Sequence, residues 1–524
     1  LQPLRMTFVG VGSTPDPDMQ RTRKLSSYFE PITKAKQIMN LDAGAYQYRA
    51  GNQVFGTSFS SPSATMTGFF PAGSYVAYGT RGPLSHLDAL PVVAYDGQAD
   101  IQHQFVVVKA SLPAGWTSFD LPGPTQVTTG GLNPGEMLSS ALSEGVQVVA
   151  RTEQDQLMDP AALQADFRKE FDSNNPNISD AQRDPIGNDP FVVGARSSTL
   201  GDGDVTALFT PAPINARFGG AQPSTGWTLA DFLTQAQGSY NIIQRPCGPK
   251  GLFTVRGFSP TVALGTGVNA WWTQTGPVSL GRHEGDFDAL ELIRGESSDA
   301  NGNPLPLTDP ANATAWFNEF LTVRNDWFGL LNQQMPTAFT KALGLSDSRY
   351  SLDTPVGLAR TYLNIGAATL SESDLSAVQS ALRSGAAVAS TGPLLDVNLN
   401  GVGPGGLVSG PVATATLSIS LYAPDWVPVD EVRVVVNGVV QSVPLSSFTA
   451  STTDFRLRTA TVNVTLPSSK DAWVVVEAGV PLTTTGAYAP GTPWAKIMKG
   501  IYPIAVTNPI FVDVNGGGYT PPFP

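Results

Sequence analysis

Histidine is almost missing from this chain. His86, His103 and His283 are the only three in 524 residues, and none has a second His or Cys at ligand spacing. That excludes the paired-imidazole motifs of many hydrolytic metal centres, and it leaves a serine triad three candidate bases, none in a suggestive context. His283 is the one to inspect, because it stands next to Glu284 and three residues before Asp286. Cysteine is scarcer still: Cys247 is alone, so neither an internal disulfide nor a thiolate metal site is available. Charge is thin at 14%, against roughly 25% in an average soluble domain. Positive charge is the thinner part, with 31 Lys and Arg against 43 Asp and Glu and a net charge of −12. Such a field disfavours nucleic acid, and no basic stripe offsets it. No apolar run reaches the ~18 residues of a membrane span. G-x-S-x-G, H-E-x-x-H and Walker A motifs are all absent. The chain opens on Leu1 with no apolar leader after it, so the expectation is a removed signal segment or a start inside a longer protein.

Glycine (53) and proline (43) are plentiful, and the 41% of hydrophobic residues are spread along the whole chain. This is the composition of a loop-rich, β-dominated exported protein with several cores, not of a disordered one. Three parts are expected. Residues 1–110 read as a β-rich accessory domain, with a hairpin at TMTGFFPAGSYVAYGTRGP (65–83), a strand in YDGQADIQHQFVVVKA (95–110) and a helix near RKLSSYFEPITKAKQIMN (23–40). Residues 111–390 alternate helix and strand patterns, which argues for a parallel α/β unit. NPGEMLSSALSEG (133–145) is its clearest helix, with Asn133 as cap, Pro134 first and Gly145 as stop; TLADFLTQAQ and AWFNEFLTVRNDWFGLLNQ are two more. Residues 391–524 read as an all-β sandwich ending in a Pro/Gly-rich tail, and Asn437-Gly438 signals a type I′ hairpin.

Six segments carry more. In order they are GWTSFDLPGP (115–124), SEGVQVVARTEQD (143–155), IIQRPCGP (242–249), GDFDALELIRG (285–295), WFGLLNQQ (327–334) and LGLSDSRY (343–350). Their order and spacing resemble the PHP-domain metallohydrolases (polymerase and histidinol phosphatase superfamily), in particular the secreted carbamate-hydrolase-like branch. The resemblance implies a β-rich accessory domain at the start and a distorted seven-stranded βα barrel in the middle of the chain; the strand spacing after it reads as an immunoglobulin-like sandwich. It also implies a metal site written D-F-H-x-H, A-T-D-H, N-H-P and S-D-S-H. Here those histidines are replaced by Pro122 and Pro124, Gln154, Arg245 and Arg349. Proline has no donor atom, and arginine is a permanent cation that repels a divalent metal. Asp120, Glu153 and Asp347 survive beside the motifs. With Asp155 they are candidates for a hard ion on oxygen ligands; the plainer expectation is that they pair with Arg151, Arg245 and Arg349.

Two Asx-rich loops spell alternate oxygen ligands: Asp299, Asn301 and Asn303 in DANGNPLPLTD, and Asp513 with Asn515 in DVNGGGYT. Both lack the Glu that closes an EF-hand loop, and Asx turns give the same spelling without Ca²⁺. Trp271, Trp272, Trp316 and Trp327 are candidates for a sugar platform or for core anchors. The expectation is a non-catalytic PHP-like protein in an extracellular, cell-surface or periplasmic bacterial assembly, without a cofactor and with protein partners or copies of itself. Two alternatives stay open: a hydrolase with a rebuilt carboxylate site, and a glycan- or ligand-binding protein.

Overall fold

The computed structural model describes residues 4–14, 48–49, 53–56, 72–94, 111–124, 134–157, 191–201, 203–210, 224–272, 283–295, 297–299, 304–305, 309–346, 355–366, 370, 375–412, 414–498 and 500–523. The expected helix near 23–40, the strand in 95–110 and the first arm of the 65–83 hairpin lie outside them.

The first five strands are β1 (Leu4–Gly10), β2 (Tyr48–Arg49), β3 (Gln53–Gly56), β4 (Gly73–Thr80) and β5 (Asp88–Ala94). They form an antiparallel sheet in the order β2-β3-β1-β4-β5. Then come β6 (Trp116–Asp120), helix α1 (Pro134–Ser143), β7 (Val148–Gln154), β8 (Phe191–Leu200), β9 (Gly203–Leu208), α2 (Leu229–Gln235), β10 (Tyr240–Gln244), α3 (Leu252–Arg256) and β11 (Ala289–Arg294). A small β12–β13 pair (Ser297–Ser298, Pro304–Leu305) leads into α4 (Pro310–Leu331) and β14 (Lys341–Leu345). β15 (Arg360–Asn364), α5 (Leu375–Ser384) and β16 (Ala387–Ser390) complete this stretch.

Local chemistry fixes the helix ends. Pro134 opens α1, Gly145 (φ 69°) stops it, and Met137, Leu138, Ala141 and Leu142 are buried. Thr228 and Asp231 form a reciprocal capping box on α2. Asp309 caps α4 by accepting from the Ala311 N–H at 2.8 Å, with Pro310 in the first turn.

β6, β7 and β8 run parallel, β9 turns back, and β10, β11 and β14 resume the parallel direction. The sheet curls until β14 comes back against β15 and β16. Side chains make that seam. The Thr361 hydroxyl accepts from the Gly344 N–H (3.1 Å) and donates to the Gly344 carbonyl (2.9 Å). The Asn508 amide likewise serves the Ala342 N–H and carbonyl, at 2.8 and 3.3 Å. Inside the curl pack Phe119, Val148, Ala150, Val193, Ala195, Tyr240, Ile242, Leu343 and Leu363, together with Val378 and Leu382 of α5.

The remaining strands are β17 (Leu394–Leu399), β18 (Leu407–Val408), β19 (Ala415–Tyr422), β20 (Glu431–Val436), β21 (Val439–Val443), β22 (Thr449–Ala450), β23 (Leu457–Val464), β24 (Ala472–Gly479), β25 (Ile504–Thr507) and β26 (Ile510–Val512), with a short helix α6 (Pro493–Ile497). The large sheet runs on past residue 390 through β16, β25, β24, β20 and β21, with fifteen strands among the described residues. A four-stranded sheet, β17-β19-β23-β22, faces its far end. β24 is therefore buried on both faces. Val474 and Val476 meet the four-stranded sheet, and Trp473 and Val475 meet α4. α4 accordingly buries its aromatic side, with Trp316, Phe317, Phe320, Trp327 and Phe328 between layers, and leaves Asn318, Thr322 and Asn325 exposed. Asn437 (φ 49°) and Gly438 (φ 87°) form the two-residue turn of the β20–β21 hairpin, as the Asn-Gly pair predicts. The whole is a mostly-sheet α/β chain with a curled, barrel-like sheet and few helices.

Candidate functional site

In a barrel of parallel strands, chemistry sits at the carboxyl ends, and five of the six segments singled out in the sequence end there, at β6, β7, β10, β11 and β14; WFGLLNQQ closes helix α4. Asp120 closes β6 with no exposure. Its Oδ1 accepts from the N–H groups of Leu121 (2.7 Å) and Ser346 (2.8 Å). Its Oδ2 accepts from the Gly357 N–H (2.7 Å) and the Ser346 hydroxyl. Burial pushes its carboxyl up to about 6, against the pull of the bonds from Ser346, Gly357 and Leu121. Four donors saturate this carboxylate, and it ties β6 to the end of β14. Pro122 and Pro124 follow it, both buried.

At the end of β7, Glu153 is fully buried and 3.1 Å from Arg151 Nε. Strand alternation puts Arg151 and Glu153 on the face of Val149, which packs against α1. Thr152 and Gln154 instead share the inner face with Ala150. Asp155 follows with φ 52°. Its Oδ1 accepts from the hydroxyls of Ser198 (2.6 Å) and Ser224 (2.7 Å), with Arg196 Nη2 at 3.7 Å. Arg196 lies between the rings of Trp227 and Phe232, about 5 Å from each.

Arg245 follows β10 with φ 48°. Its Nε donates to Asp204 Oδ2 at 3.1 Å, and its backbone N–H donates to Glu291 Oε2 at 2.8 Å. It lines a small cleft with Glu291, Arg294, Trp316 and Glu319, between α4 and the ends of β10 and β11. The expected pairing of surviving acids with arginines thus holds for Glu153 and Arg151. Arg245 pairs with Asp204, an acid the sequence reading did not single out. Asp204 is found only through register, because it stands opposite Gln244 on the antiparallel neighbour. Ser198 was missed for the same reason; Ser224 and Ser346 reach their acids from loops, Ser346 from within the LGLSDSRY segment itself. Asp347 and Arg349 lie outside the described residues.

The other candidates that fall among the described residues have the following partners. The His283 backbone N–H donates to Asp286 Oδ2 (2.7 Å), and Glu284 pairs with Arg256 at 2.6 Å. His86 meets Phe455 edge-on, and His103 lies outside the described residues. Asp513 accepts from the N–H groups of Gly516 (2.7 Å) and Gly518 (2.9 Å), which is the Asx-turn reading of that loop, and Asn515 is exposed. Asp299 is half-buried, while Asn301 and Asn303 lie outside the described residues. Trp271, Trp316 and Trp327 are buried, and Trp272 packs among Phe253, Phe258 and Phe287. The Cys247 thiol, pushed up by burial and by Asp326 and Glu319, donates to Asp326 at 3.2 Å.

Two buried Arg–Glu–Arg groups join the parts. Glu477 takes two bonds from Arg324 of α4 (2.5 and 3.0 Å) and one from Arg433 of β20 (3.0 Å). Glu144 lies 3.0 Å from Arg5 of β1 and 3.6 Å from Arg360 of β15. The second group is close-packed charge rather than aligned bonding, since neither Glu144 oxygen has a well-oriented donor. Burial pushes the Glu144 carboxyl up, and Arg5 and Arg360 hold it down.

Among the described residues, no group of three or more His, Cys, Asp or Glu could hold a metal ion. The side chains at the strand ends do not fit the hydrolytic centre that the resemblance implies. Asp120 is saturated, Glu153 faces α1 beside a cation, Pro122 and Pro124 carry no donor, and Arg245 is itself a cation. Also among the described residues, no helix is long and apolar enough to cross a membrane.

The fold and these strand ends define a mostly-sheet α/β protein with a curled half-barrel sheet. Compared with known protein families and with curated proteins, the chain matches none. Among solved structures it is similar to a two-domain protein of Bacteroides vulgatus ATCC 8482, described as containing a predicted PHP-like metal-dependent phosphoesterase. The two share 12% identity at a TM-score of 0.33, over 72% of this chain and 95% of that one.

Proposed function

We propose that this chain is a PHP-like scaffold that no longer performs metal hydrolysis. In this reading it serves as a non-catalytic structural or binding subunit of an extracellular or periplasmic assembly, with an immunoglobulin-like sandwich as its C-terminal unit. The observation that carries the reading is Arg245, a guanidinium tied to Asp204 where the resemblance expects a histidine ligand. A fixed cation there opposes a divalent ion, and the acid that would answer it is already paired. The saturated Asp120 supports the same reading from the other side of the barrel. The thin, acidic charge suits packing against proteins better than binding nucleic acid. The test is elemental mass spectrometry on natively purified protein. The reading expects transition metal far below one equivalent per chain. About one tightly held equivalent, lost on chelation together with thermal stability, would overturn it.

A further inference from the structure

We propose that the free edge of β21 is a self-association surface. On it a second copy of this chain adds its own β21 antiparallel, continuing the large sheet across a two-fold axis. The inference does not depend on the fate of the barrel site.

β14, at one end of the sheet path, is closed against β15 and β16, and β21 is the other end. Val436 and Val439 close the two-residue turn of the β20–β21 hairpin, and Val434 faces Gln441. Bonded pairs recur at every second residue from such a turn, so the N–H and C=O groups of Val440 and Ser442 point away from β20. Among the described residues nothing covers them. Val439 is 66% exposed, Val440 44% and Leu445 39%.

The chemistry of this edge selects the partner. Edge strands are commonly guarded by lysine, proline, a bulge or an inward charge. VVQSV has none of these, and no charged residue occurs from Asn437 to Thr453 in a chain of net charge −12. Two acidic copies repel over most approaches; here they meet without like charges opposed. The register is also self-complementary. A two-fold axis through Gln441 sets Val440 against Ser442 of the second copy, and each such pair presents outward donors and acceptors to the other. Gln441 further holds the strand in place, accepting from the Thr465 N–H (3.1 Å) and donating to its carbonyl (2.8 Å). A strand already ordered in the monomer loses little freedom on pairing.

The test is mass in solution by light scattering over a concentration series of the full chain. The wild type should move from 55.1 kDa toward twice that value. Val440→Lys puts two like charges diagonally across the axis, each facing Ser442 of the other copy, and Ser442→Pro removes an outward donor without breaking a bond to β20. Each should shift the midpoint about tenfold or more to higher concentration, with the unfolding curve unchanged. Gln441→Cys, which meets its own copy on the axis, should give a disulfide-linked dimer under mild oxidation; the wild type, with Cys247 alone, should not. A chain that stays at 55.1 kDa at its highest soluble concentration overturns the proposal. Dimers that persist unchanged in both the lysine and proline variants also overturn it, and would place self-association on another face.

Discussion

Asp120 and Ser346 lie 226 positions apart, and the Asp120 carboxylate accepts from both the backbone N–H and the hydroxyl of Ser346. One buried acid thereby links the first strand of the curl to the last parallel one. Its folded pKa of about 6 lies above the ordinary 3.8. Between those values the folded chain keeps a proton that the unfolded chain has released. The stability from this group is therefore complete below pH 3.8 and is lost as pH rises through 6, about 3 kcal/mol in all. Asp120→Asn removes this titration. In urea unfolding between pH 4 and 7, the wild type should lose about that amount of stability relative to the variant as pH rises. Parallel curves would mean that the carboxyl is not the group responsible.

The parts of this arrangement legible in the sequence are local. Asn437-Gly438 announces its own turn because only the backbone of that pair is at issue, and the same holds for Pro134 and Gly145 at the ends of α1. The partners of Asp120 and Arg245 were not legible. Asp204 reaches Arg245 through strand register and Ser346 reaches Asp120 through the closure of the curl, and no short-range pattern encodes a contact across 226 positions. Likewise, the pattern of α4 reads simply as a helix. That it lies between the curled sheet and β24 follows only once Trp473 and Glu477 are seen beneath it.

The seam should be sensitive to a single methyl group. A Cβ on Gly344 would stand 2.4 Å from the Arg360 carbonyl oxygen and 2.9 Å from the Ser390 N. Both are backbone atoms of paired strands, so neither can turn aside. Gly344→Ala should cost about 2–3 kcal/mol through overpacking. Hydrogen exchange should show early loss of protection along β14 and β15. An unchanged unfolding midpoint would mean the seam is looser than its bonds suggest.

Arg245 and Asp204 should be energetically coupled, since the pair is mostly shielded from water. Arg245→Met and Asp204→Asn should each destabilise the chain. The double variant should cost less than the sum of the two, by about 1 kcal/mol. Additive effects would show that the 3.1 Å bond contributes nothing of its own. Added metal should not raise the melting temperature of the wild type. A rise with Mn²⁺ or Zn²⁺ that Arg245→Met abolishes would count against a cation-blocked barrel mouth.

Glu477 is the residue on which the joint between curl and C-terminal sheets turns. It has no exposure, and Arg324 and Arg433 approach it from α4 and β20. Glu477→Gln leaves the Arg324 guanidinium without its counter-charge and Arg433 with only the part-exposed Glu431 at 2.7 Å, and should cost about 3 kcal/mol. Replacing all three residues with apolar ones of similar volume should recover most of that loss, because the buried charges then go together. Guanidinium unfolding monitored by tryptophan fluorescence suits the comparison, as Trp473 lies beside Phe328 in the same layer. If Glu477→Gln makes one transition become two, the triad couples the units into one cooperative block. If the transition stays single and shifts as a whole, the apolar layer around Trp473 carries that coupling and the triad adds only stability.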